Sequence, residues 1–180
     1  SAPPGGGTDY VAIGTSGGAE LWDPLAPMPL QVSYVDRAPG VKAQCFVRGG
    51  LLNGMLGGRV LLWDFRAATS PLRPRLHAMF EAASQPTAML PLPGGCHVVV
   101  ADISGAVTLY DVRRPAAFVA RLQSSTPRAP TRIHHLGLCL GGGGRVVYGG
   151  DAVGGVCAWE ARSGECLWRA APPCADRAPG

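Results

Sequence analysis

An apolar residue, an aromatic and an acid recur in that order four times along this chain, as Leu21-Trp22-Asp23, Leu62-Trp63-Asp64, Leu109-Tyr110-Asp111 and Ala158-Trp159-Glu160. The aromatics stand 41, 47 and 49 residues apart, and a glycine lies five residues before each: Gly17, Gly58, Gly105 and Gly154. A period of about 40–50 residues marks one supersecondary unit used repeatedly, too thin to bury its apolar side without a neighbour.

Within each unit the pattern reads as a hairpin. The runs 10–14, 51–55, 97–101 and 145–149 are short and apolar. Each meets a turn containing one of the recurrent glycines, where positive φ costs little. The next strand ends in the aromatic and its acid. Further apolar runs precede three of the hairpins (43–47, 87–92 and 133–140) and follow all four (31–35, 77–80, 117–122 and 165–169). Four antiparallel strands per unit at this period predict an all-β fold, a β-propeller of about four blades. The blades are expected over 10–36, 43–81, 87–122 and 133–170, with 1–9 and 171–180 as flexible ends. Only nine residues precede the first hairpin, so its blade is expected to lack the innermost strand. Propellers run from about four to eight blades. With a chain that starts at Ser1, the expectation is an incomplete ring whose other blades lie outside it. Open strand edges pair with other chains, so the chain alone is expected to aggregate.

The four aromatic–acid endings resemble those of the WD-repeat family over roughly residues 10–170. The Gly-His pair that opens such repeats is missing from all four. The turn aspartate that it helps to orient survives as Asp102 and Asp151, with Gly14 and Met55 in the other two turns. The resemblance therefore implies degenerate repeats, with the first two blades less rigid.

Composition narrows the function. Hydrophobic residues make up 47% and charged residues 16%, enough apolar content for a core. No apolar stretch reaches the roughly 20 residues that a membrane span needs. The net charge of +4 comes without a basic stripe, Arg113-Arg114 being the only adjacent arginine pair, so nucleic-acid binding is not expected. Six cysteines (Cys45, Cys96, Cys139, Cys157, Cys166 and Cys174) form no closely spaced pair, which speaks for reduced thiols and against zinc. Three of them, Cys45, Cys139 and Cys157, lie in apolar runs and are expected to pack as small hydrophobes. An intracellular protein of the cytoplasm or nucleus follows.

No catalytic, cofactor or metal site is expected. Gly14-Thr15-Ser16-Gly17-Gly18 matches a nucleophile elbow, but an elbow enters a helix and here the next strand follows. Gly141–Gly144 precedes a strand where an anion-binding loop would open a helix, and it reads as a flexible connection. His134 and His135, adjacent on a strand, point to opposite faces and cannot readily share a metal.

One feature points to a partner. Arginine stands three residues after the aromatic in three units: Arg66, Arg113 and Arg162. These aromatic–acid–x–Arg endings resemble those of WD-repeat substrate receptors of cullin-RING ubiquitin ligases. The order of elements from Cys45 to about Pro172 is also similar to one branch of these factors, including an insertion, here Leu122–Arg132, before the last hairpin. The resemblance implies that Asp64, Arg66, Asp111, Arg113 and Arg162 dock on the adaptor that bridges to the cullin, while another surface takes a substrate. Trp22, Asp23, Trp63, Tyr110, Trp159, Glu160, Asp102, Asp151 and the four recurrent glycines would then be structural. Two other readings remain open from the residues. The arginines can simply cover a strand end and pair with nearby acids, or the chain can be a structural subunit of a large ribosomal, ciliary or trafficking assembly.

Overall fold

The computed structural model describes residues 11–16, 18–22, 29–33, 40–64, 75–114, 117–122, 137–150 and 154–170. Gly17, Asp23, Arg66, Asp151, His134, His135, Cys174, both terminal segments and residues 123–132 of the insertion lie outside them. Every described element is a β-strand except one short 3-10 turn. The strands form four antiparallel sheets, and each sheet is a meander of strands adjacent in sequence.

The first sheet holds β1 (Val11–Thr15), β2 (Gly18–Trp22) and β3 (Pro29–Ser33). The second holds β4 (Val41–Val47), β5 (Gly50–Met55), β6 (Arg59–Asp64) and β7 (Arg75–Glu81). In the third are β8 (Pro86–Pro91), β9 (His97–Asp102), β10 (Val107–Asp111) and β11 (Phe118–Arg121). The fourth has β12 (Gly137–Gly141), β13 (Val146–Gly150), β14 (Val156–Glu160) and β15 (Cys166–Ala170). The four aromatics fall on β2, β6, β10 and β14, each paired with the strand before it and the strand after it. Matched by their aromatics, the sheets differ in one respect: the first has no described strand equivalent to β4, β8 and β12.

The sheets pack in chain order. β1 lies against β4, β4 against β8 and β8 against β12. Successive strand residues point to opposite faces, so a strand of a middle sheet needs apolar residues on both sides. The run Val98–Ala101 on β9 meets this need. Val98 and Val100 pack toward the second sheet with Cys45, Leu52 and Phe80. Val99 and Ala101 pack toward the fourth with Val147, Cys157 and Trp159. A smaller cluster of Ala19, Leu21, Phe46 and Leu51 joins the first sheet to the second.

Tyr110 and Trp159 share one direction. Tyr110 faces the second sheet, where its ring stacks on Phe80 with centroids 4.5 Å apart, and its hydroxyl donates to the Glu81 carbonyl at 3.2 Å. Trp159 faces the third sheet and is 4% exposed. Trp22 and Trp63 are half-buried.

The three described recurrent glycines lie in hairpin turns. Gly58, Gly105 and Gly154 have φ of 92°, 86° and 83°, the left-handed region that side chains with a Cβ enter at a cost. Two expectations are corrected. Gly142–Gly144 is a 3-10 turn rather than a slack connection, and a Cβ on Gly144 would lie 2.3 Å from Cγ of Pro93 in the neighbouring sheet. Cys139 is exposed, while Cys45 and Cys157 are buried. Burial pushes the Cys45 thiol up to about 12, so it stays protonated and packs as a hydrophobe.

Candidate partner-binding site

Because every sheet is a meander, its turns alternate between two ends, and the residues singled out in the sequence divide between them. The recurrent glycines and Asp102 lie at one end, in the turns after β5, β9 and β13. The acids and their arginines lie at the other, which we call the motif end, in the turns after β10 and β14.

At the glycine end Asp102 is 2% exposed. Its Oδ1 accepts from the Ser104 amide (2.9 Å), the Ser104 hydroxyl and the Ala106 amide (3.2 Å). Its Oδ2 accepts from the Ser84 amide at 3.1 Å, in the segment between β7 and β8. One carboxylate thus closes the β9–β10 turn and ties down the passage from the second sheet to the third. The equivalent residue in the second sheet is Met55, fully buried. There the turn is closed by backbone bonds alone, from the Gly58 amide to the Met55 carbonyl and from the Ala82 amide to the Gly58 carbonyl.

At the motif end the acid closes the turn that follows its own strand. Asp111 Oδ1 accepts from the Arg113 amide and from Arg113 Nε, both at 2.9 Å, and Oδ2 accepts from Arg113 Nη2 at 2.7 Å. His97 Nε2 lies 3.8 Å from the same Oδ2. The fork from Arg113 holds the Asp111 carboxyl down at about 2, and the same pairing raises the Arg113 guanidinium further. Since the folded value is below the unfolded one, whatever the pair contributes to stability is complete above about pH 4 and is lost as pH falls through about 2. Carbon-detected titration should place the Asp111 midpoint near 2, and Arg113→Ala should move it back toward 3.8.

Glu160 repeats the device in the fourth sheet. Its Oε2 accepts from the Arg162 amide at 2.8 Å and from the Ser163 amide, and these bonds, the Ser163 one foremost, lower its carboxyl. The two sheets also share a backbone bond: the Val112 amide donates to the Cys96 carbonyl, and the Ala161 amide to the Arg145 carbonyl.

The acids therefore shape turns, and the arginines are what the turns present. Arg113 is 63% exposed at its side chain, with Nη1 unused by Asp111. Arg162 is exposed, and its guanidinium reaches Glu160 only through its field. Asp64 is 8% exposed, so like Asp111 it offers a partner little of its own surface.

Between the third and fourth sheets the motif end opens into a groove of 710 Å³. Its walls include His97, Arg145, Glu160, Arg162 and the exposed Val119, with the buried Leu92, Leu109 and Ala161 beneath. His97 and Arg145 escape notice in the sequence because neither belongs to the repeated ending. Their only signal is a basic residue at the head of the apolar strand preceding the motif strand. Among the described residues no group of three or more His, Cys, Asp or Glu side chains could hold a metal ion. Ser16 sits exposed in the turn between β1 and β2, with a strand on either side. No described helix is long and apolar enough to cross a membrane.

Comparison with known proteins bears on the fold alone. No family model matches the chain, and a search of curated proteins finds no match. The fold is common, since 938 chains of solved structures match it, and so it singles out no activity. One of them is the crystal structure of a computationally designed protein, Ika8, with a TM-score of 0.69 at 18% identity. The match covers 89% of this chain and 46% of that one, so this chain spans about half the length of its structural relative.

Proposed function

We propose that the chain is part of a WD-repeat β-propeller, an intracellular protein-binding scaffold that catalyses nothing and serves as a substrate receptor of a cullin-RING ubiquitin ligase. The propeller reading draws support from four meanders stacked in chain order through β1, β4, β8 and β12, with the aromatic strand third from β4, β8 and β12 in the second, third and fourth sheets.

The ligase reading rests on one observation: in both described aromatic–acid–x–Arg endings the acid folds the turn and the arginine stands exposed beyond it, at the same end of adjacent sheets. A guanidinium held out in this way can make paired, charge-assisted bonds to carboxylates or carbonyls of an adaptor. The mechanism is positional. Arg113 and Arg162, together with Arg66, hold the adaptor, and a different surface holds the substrate, so that transfer of ubiquitin follows from proximity.

A pull-down of the cullin adaptor should recover less with the Arg66→Ala/Arg113→Ala double variant than with the wild type. Loss of such contacts costs about 1–3 kcal/mol, one to two decades of affinity. Equal recovery would remove the ligase reading. Stoichiometric co-purification with a large assembly that contains no cullin would favour the structural-subunit reading instead.

A further inference from the structure

We infer that the groove between the third and fourth sheets is a binding site for an acidic peptide segment, with a side-chain carboxylate held between Arg145 and Arg162. The 2.8 Å bond from the Ala161 amide to the Arg145 carbonyl fixes the two arginines on neighbouring stretches of backbone, and both line the groove. Both are exposed, and no hydrogen bond or ion pair within the described residues engages either guanidinium.

Two acids stand near the groove, and only Asp111 is neutralised by a cation of the fold. Asp111 is taken by Arg113, and Glu160 Oε2 by two turn amides. With Arg145 and Arg162 against the single carboxylate of Glu160 the groove keeps a net positive charge, beside the exposed aliphatic side chain of Val119. Carboxylates spaced by aliphatic side chains match that combination. A nucleic-acid strand matches it less well, because it needs a longer basic track than two arginines and no Phe, Tyr or Trp among the described residues lines the groove to stack on bases. The inference concerns the chemistry of the groove and does not require that its occupant be a ligase adaptor.

The test is fluorescence anisotropy at low salt with a fluorescein-labelled peptide carrying two glutamates among leucine and alanine. Its glutamine counterpart and a single-stranded oligodeoxynucleotide serve as competitors. The glutamate peptide should bind, the glutamine peptide should bind at least about fivefold more weakly, and added salt should weaken the former. Arg145→Ala and Arg162→Ala should each cost about three- to tenfold, in the range of a partly screened charge-assisted contact. Arg59→Ala, at the glycine end, should leave binding unchanged. Equal binding of the two peptides, indifference to both groove arginines, or displacement by the oligonucleotide at lower concentration than by the peptide would each overturn the assignment. Adaptor recovery in the pull-down is read separately, so either conclusion can fail without the other.

Discussion

Trp159→Ala should destabilise the protein by about 3–5 kcal/mol, the usual cost of emptying a buried site of this size. The indole is 4% exposed and sits in the cluster that joins the third and fourth sheets. Its ring lies so close over β13 that a Cβ on Gly149 would fall 2.8 Å from its Cζ3. Nothing nearby can close the space, because the neighbouring strands are fixed by their own ladders. Urea denaturation should show the loss as a lower midpoint. For a chain of this length the melting temperature should fall by about 6–20 °C. Trp168→Ala is the control. Trp168 stands on β15 opposite Ala158, on the face turned away from the third sheet, and is 47% exposed. Its loss should cost no more than about 1 kcal/mol.

The second large effect is expected at Asp102. Asp102→Ala removes the acceptor for three backbone amides and one hydroxyl within a part-buried turn. Leaving a buried donor without a partner costs about 1–3 kcal/mol, and water can reach some of these groups once the side chain is gone. The net loss should be about 3 kcal/mol. Asp102→Asn keeps the shape but must turn an N–H toward either Ser84 or the pair Ser104 and Ala106, so it should cost about half as much. Hydrogen exchange separates this from general loosening. The amides of Ser84, Ser104 and Ala106 should lose protection well before those of β9 and β10. Uniform loss across the third sheet would mean that the carboxylate is not the local tie its bonds indicate.

The comparison of Asp102 with Met55 explains why the repeat was legible only in part. The glycine-to-aromatic spacing set the hairpins because it reflects two local demands, a left-handed turn residue and a strand long enough to carry the aromatic inward. Those demands are met within a dozen residues and leave their mark on sequence. The turn residue at the head of that spacing is not constrained in the same way. A carboxylate with several donors and a buried thioether with backbone bonds both close the turn, so the position looks degenerate while its role persists.

Burial was harder to read. Asp64 and Asp111 follow their aromatics identically, and both are largely enclosed, Asp64 at 8% exposure and the Asp111 side chain at 13%. That enclosure comes from what packs around each strand end, which no single repeat contains. Cys139 has apolar neighbours in sequence but falls on the face of the fourth sheet that turns away from the third, the side that Tyr148 and Trp168 share with it. An apolar run records that a strand is buried somewhere and does not tell which of its two faces has a neighbour. The groove of Arg145, Glu160, Arg162 and His97 is the extreme case, since it exists only where two sheets meet.

The account depends on sheets stacked face to face, with Tyr110 and Trp159 each seated on the sheet before its own. Phe80 and Tyr110 report on this directly, being 30 residues apart on different sheets with stacked rings. A nuclear Overhauser spectrum of protein labelled in its phenylalanine and tyrosine rings should contain cross-peaks between these two, and Phe80→Leu should abolish them while shifting the Tyr110 ring resonances. Tyr110 ring protons that contact only residues of β8 to β11, with no cross-peak to Phe80, would contradict the stacking and with it the groove and the shared motif end.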